Sequence, residues 1–389
     1  MSVVPPGSVV PPGRIVGLDA ARCLALIGMI ATHVLEGVSG TEVTVIQQIA
    51  GGRASALFAV LAGVSLALMS GGTTPVAGAE RRAVSAGLAV RALFIGAIGL
   101  LLGELETGIA VILTYYGALF LLGLPFLGLR ARTLGLLSAA WLVVVPVISH
   151  LVRPQLPDRG YGNPIADSLS EPGRLLVELT ATGYYPALPW LAYLLAGIAI
   201  GRLDLRRART AIALVAGGAV VAATSWLTSD ALLARPGVRD TLEATFVGAG
   251  WAGDLELTLD QGLFGTTPTG SWWWLAVRAP HTATPFDLAQ TIGSALLVIG
   301  LCLLLGQLVP RITAVLFGAG AMTLTLYTGH VILRAGLLSG DDAQTFAKHV
   351  LLVLGVGAAF RLVRRRGPLE VAAARMAGRA AEAVRPDRD

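Results

Sequence analysis

Charged residues are scarce in this chain of 389 residues. They make up 14% of it, whereas hydrophobic residues make up 54% and the mean hydropathy is +0.72. Soluble domains contain about 25% charged residues. Apolar runs of bilayer-spanning length recur to the end of the chain. The composition therefore excludes a soluble enzyme with one membrane anchor, and it predicts an integral membrane protein without a soluble domain.

Cysteine and the common catalytic signatures are also missing. The two cysteines, Cys23 and Cys302, each lie inside an apolar run, which suits neither a disulfide framework nor a metal site. The sequence has no Gly-x-Ser-x-Gly elbow, P-loop, His-Glu-x-x-His motif or dinucleotide fingerprint. These absences argue against a hydrolase, an ATP-driven pump and a metalloprotease, and we expect no metal.

Ten apolar segments predict an all-α polytopic membrane protein with its helices in one bundle. We place the spans at 15–36, 53–70, 88–103, 109–128, 133–152, 184–201, 209–228, 286–307, 311–333 and 344–361. The predicted organisation is a leader at 1–14, a transmembrane domain at 15–361 and a basic tail at 362–389. Two long loops, 153–183 and 229–285, interrupt the domain. Trp272–Trp274 in the second loop are expected to anchor at the membrane surface.

The arginines predict the orientation. They concentrate in GAERRA (78–83), LRART (129–133), GRLDLRRART (201–210) and RLVRRRGPLE (361–370), whereas GELETG (103–108) is acidic. The positive-inside rule then places both termini in the cytoplasm and both long loops outside the plasma membrane. Anionic lipid would hold the basic tail. The net charge of +5 follows from this orientation and gives no reason to expect nucleic-acid binding.

The first span carries three ionisable residues, Asp19, Arg22 and His33. At 100° per residue all three lie on one stripe, and Asp19 and Arg22 can pair. Arg22 lies in the cytoplasmic half and His33, about 16 Å further along the axis, near the outer surface. Ionisable residues in a membrane usually face a bundle interior or a wet cavity and mark a function. The alternatives are a snorkelling helix end and a hydrogen-bonded interfacial histidine.

Four stretches resemble transmembrane acyltransferases. LDAARCLALIGMIATH (18–33) fits the Arg-x10-His motif of bacterial acyltransferase-3 proteins through Arg22 and His33. Three later stretches resemble the YeiB-like and heparan-α-glucosaminide N-acetyltransferase-like branch: AVILTYYGALFLLGLP (110–125), GYYPALPWLAYLLAGIAIGRL (183–203) and AGAMTLTLYTGHVIL (319–333). The resemblance covers most of the chain.

The resemblance implies transfer of an acyl group, with acetyl favoured, from cytoplasmic acyl-CoA to an outside sugar or lipid-linked envelope acceptor. Arg22, with Asp19 beside it, would attract a phosphate or the acyl carbonyl, and His33 would be the general base for an acceptor hydroxyl or amine. The lysosomal enzyme of this branch has its proposed acetyl-carrying histidine in the loop after the first span. Residues 37–52 contain no histidine, so we expect direct transfer.

Two further histidines are candidates for the same outer site. His281 precedes the eighth span and His330 lies at the outer end of the ninth, so both can converge with His33. The alternative for each is an ordinary surface or interfacial histidine. His150 and His349 have no supporting context and receive no role.

Four other outer residues are candidate acceptor-binding groups. Asp287 can orient His281 or pair with an arginine, or be an ordinary acid at a helix N-terminus. Arg53 begins the second span, where it can stabilise an oxyanion, bind an acidic acceptor or snorkel. Tyr115 and Tyr116 begin the fourth span and either belong to the site or anchor in the aromatic belt.

Arg81, Arg82 and Arg91 form an inner basic group before and within the third span. Such a group suits the phosphates of CoA, and it equally suits the positive-inside rule without any ligand. Two rival functions stay open: a secondary transporter that uses the Asp19, Arg22 and His33 stripe as a substrate path, and a non-catalytic scaffold. Homo-oligomerisation also stays open.

Overall fold

The computed structural model describes residues 10, 13–157 and 162–385. Most of the predicted leader at 1–14, residues 158–161 of the first long loop and residues 386–389 of the predicted tail lie outside the described residues. The two strands, β1 (Val38–Ser39) and β2 (Glu42–Val43), form an antiparallel hairpin. The helices are α1 (Val16–Val34), α2 (Val45–Ala50), α3 (Arg53–Met69), α4 (Gly78–Gly103), α5 (Leu113–Gly123), α6 (Ala131–Val152), α7 (Pro172–Val177), α8 (Ala187–Gly201), α9 (Ala208–Leu233), α10 (Val238–Gly248), α11 (Leu255–Gln261), α12 (Pro285–Leu308), α13 (Pro310–Leu316), α14 (Thr323–Arg334), α15 (Ala343–Leu362) and α16 (Pro368–Val384).

Seven helical segments among the described residues are long and apolar enough to cross a membrane: Val16–Val34, Val45–Met69, Gly78–Gly103, Ala131–Gln155, Ala208–Leu233, Pro285–Leu308 and Ala343–Leu362. An eighth span results if Pro172–Thr182 and Ala187–Gly201, which meet at a bend of 55°, cross as one unit. The prediction of an all-α polytopic membrane protein is confirmed. The predicted count of ten spans is not.

Apart from 184–201, which belongs to the bent pair, two predicted spans are not continuous helices of membrane length. The run at 109–128 forms α5, of 11 residues, and a 3₁₀ turn at Leu124–Gly128. The run at 311–333 is divided into α13 and α14 by a 3₁₀ turn at Gly318–Ala321. Close packing explains this turn, because a Cβ on Gly320 would lie 1.8 Å from the backbone oxygen of Asp19. The break therefore lets bare backbone approach α1.

α1 lies at the centre of the helix bundle, where it contacts α3, α12, α14 and α15. Cys23 on α1 and Cys302 on α12 are both buried and free. Small residues set the helix spacing: a Cβ on Gly17 would lie 2.5 Å from the Cys302 oxygen, and one on Gly197 would lie 1.9 Å from the Val60 oxygen. Close approach at small residues is how helices pack in a membrane.

The second long loop, 229–285, is a folded helical cap. α9 extends to Leu233, and α10, α11 and a 3₁₀ turn at Trp272–Ala276 pack around a hydrophobic cluster of their own. Trp274 is fully buried in this cluster, and its indole donates to Thr245 Oγ1 at 2.9 Å, whereas Trp272 is 56% exposed. The tryptophans are therefore not a uniform surface anchor, since one of them is core.

The predicted basic tail is mostly helical. α16 packs against α4, where a Cβ on Gly87 would lie 2.6 Å from the Ala377 oxygen. Glu370 at its first turn accepts hydrogen bonds from the backbone N–H and the hydroxyl of Thr325. The segment is thus docked on the bundle by specific contacts, in addition to any attraction to lipid.

Candidate active site

Asp19 is buried and contacts three arginines. It accepts hydrogen bonds from Arg14 Nε at 2.5 Å, Arg22 Nη1 at 3.2 Å and Arg361 Nη2 at 2.7 Å. The pair with Arg22 is the one that the helix geometry predicts, whereas Arg14 and Arg361 were not anticipated. One carboxylate among three guanidinium groups leaves an excess of positive charge. The cluster therefore favours an anion beside it, which a simple snorkelling helix end would not.

Arg22 lies between two cavities. Its Nη2 donates to Ser65 Oγ on α3 at 2.9 Å, so the guanidinium is held by two partners. Arg22 lines a cavity of about 440 Å³ together with Arg14 and Arg206. It also lines a second cavity, of about 90 Å³, that extends along the bundle to Tyr327. An anion in the larger cavity and a chain in the smaller one would both meet Arg22.

The inner arginines of α4 are not brought together. Arg91 lines the smaller cavity with Arg22, but Arg81 donates to the Pro125 carbonyl at 2.9 Å and Arg82 is exposed. Neither Arg81 nor Arg82 lines the two cavities. Nine residues of helix turn through 900°, which places Arg82 and Arg91 on opposite faces. A helical wheel would have separated these two.

Three histidines form a hydrogen-bonded chain at the other end of α1. Nδ1 of His33 lies 3.2 Å from Nε2 of His330, and Nδ1 of His330 lies 3.2 Å from Nδ1 of His349. Nε2 of His349 in turn lies 3.2 Å from the Leu338 carbonyl oxygen. His330 and His349 are both buried. His330 thus meets His33, as the sequence suggested, while His349 joins from α15.

The histidine chain is not arranged as a metal site. Five of the six ring nitrogens in the three histidines face another ring or a carbonyl rather than a common point. Across the described parts of the sequence, no group of three or more His, Cys, Asp or Glu side chains is placed to hold a metal ion. The prediction that the protein uses no metal stays a prediction.

A cleft of about 340 Å³ lies at the His33 end of α1. His33 and His281 both line it, with Tyr184 and Tyr185 from the bend before α8 and with Arg334 from the end of α14. The ring of His281 lies 4.9 Å from that of Tyr184 and 5.6 Å from that of Tyr185, between centroids. Two of the three candidate histidines therefore reach the cleft, and His330 stands behind His33.

The turn that carries His281 is strained and held by Asp287. His281 has φ of +56° and Ala283 has φ of +52°, a region that residues other than glycine seldom adopt. Asp287 accepts hydrogen bonds from the backbone N–H groups of Thr282 at 3.1 Å and Ala283 at 3.0 Å. Strained backbone of this kind persists where the surroundings enforce it, often at functional sites. Asp287 thus supports His281 through the backbone.

Arg53, Tyr115 and Tyr116 do not line the cleft. Arg53 begins α3 and donates to the Gln48 carbonyl at 2.5 Å. Both tyrosines are buried in the bundle, so the alternative of an aromatic belt in the lipid interface is wrong for them. The Tyr116 hydroxyl donates to the Ser55 carbonyl at 3.2 Å, and Tyr116 lines the smaller inner cavity.

Different loops line the cavities at the two ends of α1. The larger cavity at Arg22 is lined by residues from segments that the charge pattern places inside, such as Arg14, Thr73 and Arg206. The cleft at His33 is lined by residues from segments placed outside, such as Thr107, Gln261 and His281. The loops thus group as the arginine pattern predicts. Which end faces the cytoplasm stays a prediction.

Together these features define a polytopic membrane protein in which one central helix joins an arginine-lined cavity to a histidine-lined cleft. The profile described as Heparan-alpha-glucosaminide N-acetyltransferase, catalytic, matches residues 14–234, more than half of the chain. The chain therefore belongs to the heparan-alpha-glucosaminide N-acetyltransferase-like catalytic family, as its motifs predicted. No curated protein matches the chain. Family membership indicates a membrane acetyltransferase with a donor of the acetyl-CoA type. The match ends before His281, His330 and His349.

Proposed function

We propose that the protein transfers an acetyl group from cytoplasmic acetyl-CoA to a sugar or other envelope acceptor outside the plasma membrane. One observation carries this proposal: Arg22 and His33 lie on the same helix, and each opens onto a cavity of its own. The axial distance between them is about 16 Å, which a phosphopantetheine arm can bridge. Tyr327 lies on that path, since it lines the smaller Arg22 cavity and its ring centroid is 6.4 Å from that of His33.

The arginines support a phosphate-bearing donor. Arg14, Arg22 and Arg206 line the larger cavity, whose size suits a nucleotide, and Arg91 adds a cation along the smaller one. Guanidinium groups bind phosphate through charge-assisted hydrogen bonds. CoA would place its phosphates in the larger cavity and its thioester towards Tyr327. Arg81 and Arg82 are left out of this proposal because they do not line either cavity.

The chemistry requires one base near the acceptor. His33 would take the proton of the acceptor hydroxyl or amine as the oxygen or nitrogen attacks the thioester carbonyl. A carbon–oxygen or carbon–nitrogen bond forms, the carbon–sulfur bond breaks, and CoA leaves as the thiolate. His281 is offered as a second group that contacts the acceptor. No acetyl-histidine intermediate is needed.

The cleft favours a neutral or acidic glycan over a protonated amine. Among the described residues that line it, none is aspartate or glutamate, while Arg334, His33 and His281 are present. Aromatic rings with glutamine and threonine side chains suit the alternating faces of a sugar. We therefore expect the reacting group of the acceptor to be a hydroxyl rather than an amine that is protonated in solution.

Purified protein in nanodiscs tests the proposal against its rivals. With acetyl-CoA and a panel of neutral, acidic and amino sugars, the enzyme releases one CoA for each acetylated sugar. A transporter moves substrate across proteoliposomes without CoA release, and a scaffold does neither. Failure to release CoA with every acceptor, from protein whose folding has been checked, would contradict the proposal.

A further inference from the structure

The chain of hydrogen bonds through His33, His330 and His349 ends on the Leu338 carbonyl, which can only accept a hydrogen bond. A backbone carbonyl has no proton to donate, so Nε2 of His349, 3.2 Å from the Leu338 oxygen, must carry the hydrogen. A neutral imidazole has one N–H and one lone pair. Nδ1 of His349 is then the acceptor, and the contact of 3.2 Å requires Nδ1 of His330 to be the donor.

The same logic passes through the middle ring to His33. With its hydrogen on Nδ1, neutral His330 has its lone pair on Nε2. The contact of 3.2 Å then requires Nδ1 of His33 to donate. Nε2 of His33 is left without a hydrogen, as the nitrogen that is free to meet a molecule in the cleft.

We propose that His349, anchored on the Leu338 carbonyl, is a positioning residue that fixes the tautomer of His33 through His330 and so makes His33 Nε2 the base. The inference rests on the proposed function, since it names the atom that takes the proton. His330 lies between them, with its ring nearly parallel to that of His33, at 5.4 Å between ring centroids and 9° between planes, and the hydrogen bond of 3.2 Å runs along the line between the rings. Such packing holds the base at one orientation.

The arrangement also accommodates the proton once it is taken up. When the acceptor proton moves to Nε2, His33 becomes an imidazolium with hydrogens on both nitrogens. Its Nδ1–H continues to donate to His330 Nε2, so no ring has to turn. A preset acceptor for the charged form lowers the reorganisation that the step requires. The proton returns from Nε2 to the departing thiolate or to water in the cleft.

Other charged and titratable groups surround the chain. Arg334 of α14 lines the cleft and is paired with Asp341, and it donates to the Ser339 carbonyl. His281 comes from the turn before α12, and Tyr327 of α14 packs edge-on to His33. These groups set the field at the site, whereas the chain of donors and acceptors sets the tautomer.

Nitrogen NMR of the full-length protein in nanodiscs reads the tautomer without any turnover. The chain has 5 histidines, and single variants assign each signal after labelling with [¹⁵N]histidine. We expect a protonated Nδ1 and an unprotonated Nε2 on His33 in the wild type. His349→Phe, which keeps a ring but removes both hydrogen bonds, should give a mixture of His33 tautomers. His349→Gln, which can donate to Leu338 and accept from His330, should keep the wild-type pattern.

Kinetics supply the second readout. His349→Phe should lower kcat about tenfold with the KM for acetyl-CoA unchanged, as expected when the hydrogen bond that His349 accepts from His330 is lost. His349→Gln should restore most of the rate. The control is His150→Phe, which should match the wild type, because the His150 ring lies 4.8 Å from that of Trp272 and takes no part in the hydrogen bonds of the three histidines. A hydrogen on Nε2 of wild-type His33 would overturn the inference even if His349→Phe fails to fold. An inactive wild type with the expected tautomer would overturn only the proposed function.

Discussion

The two ends of α1 bury polar groups in opposite ways. At the predicted inner end, beside Arg22, one carboxylate, Asp19, contacts three arginines, and the balance of charge is positive. At the predicted outer end, beside His33, three histidines are joined by hydrogen bonds that end on the Leu338 carbonyl. The first arrangement holds charge and can attract an anion, whereas the second can hold neutral rings and offers a lone pair. Under the proposed function, one helix thus separates the binding of a charged donor from the movement of a proton.

The two ends also differ in what their hydrogen-bond partners must do for the central side chain. A guanidinium is always charged, so Arg22 needs only partners that hold its position. A histidine base must in addition carry its hydrogen on the correct nitrogen. The outer end therefore recruits α14 and α15 behind His33, and its second histidine stands on a turn that Asp287 stabilises.

The largest expected effect is at the outer end. His33→Ala should lower kcat by about 10²–10⁴-fold, the usual contribution of a general base, with acetyl-CoA binding nearly unchanged. Acetyl transfer and CoA-induced thermal stabilisation are measured on the same preparation. His33→Asn keeps a hydrogen-bonding side chain without a base. If His33→Asn retains near-full activity, His33 only positions the acceptor, and His281 becomes the candidate base.

The second prediction concerns Asp19→Asn, which removes the carboxylate charge from the arginine cluster. Three arginines would lose their shared counter-charge, two of them to a great extent buried, and the free energy of unfolding should fall by about 3–5 kcal/mol. Thermal unfolding in detergent measures the change. The matched control is Glu256→Gln, which breaks an exposed pair with Arg239 in the cap and should change stability far less. Equal effects of the two variants would show that the Asp19 cluster contributes no special stability.

Donor binding distinguishes arginines that line a cavity from those that only follow the charge rule. Arg22→Ala and Arg91→Ala should each weaken CoA binding about tenfold, because each removes charge-assisted hydrogen bonds. Arg82→Ala, at an exposed position on the opposite face of α4, is the control and should leave binding unchanged. The stabilisation by a series of CoA concentrations gives the affinities. A loss at Arg82 equal to that at Arg22 would place the donor elsewhere.

The orientation of the protein in the membrane can be tested with variants that are not expected to change activity or stability. The native cysteines are buried, so cysteines introduced at exposed sites dominate labelling by an impermeant thiol reagent. Ser170→Cys in the predicted outer loop should react in intact cells, and Thr74→Cys in the predicted inner loop only after permeabilisation. The reverse pattern would invert the direction of transfer.

Hydropathy and helix geometry predicted the class of fold, most of the spans and the stripe on α1, because these depend on local periods. They could not predict which distant residues meet that stripe. Arg361 and His349 both come from α15, more than 300 residues along the chain, and only the packing of α15 on α1 brings them close. The break at Gly318–Ala321 was missed for the same reason, since an apolar run does not show where backbone must approach backbone. The prediction that Arg82 joins Arg91 in one group could have been avoided from the sequence, because the two residues lie on opposite faces of a helix.

Transfer between the two sides of a sealed vesicle tests the central claim most directly. The protein is reconstituted in one orientation, with labelled acetyl-CoA on the side of the Arg22 cavity and a glycan acceptor enclosed on the side of the His33 cleft. We predict labelled acetyl groups on the enclosed acceptor and one free CoA for each on the donor side. Labelling that requires both substrates on the same side, or acetyl movement without release of CoA, would contradict the account.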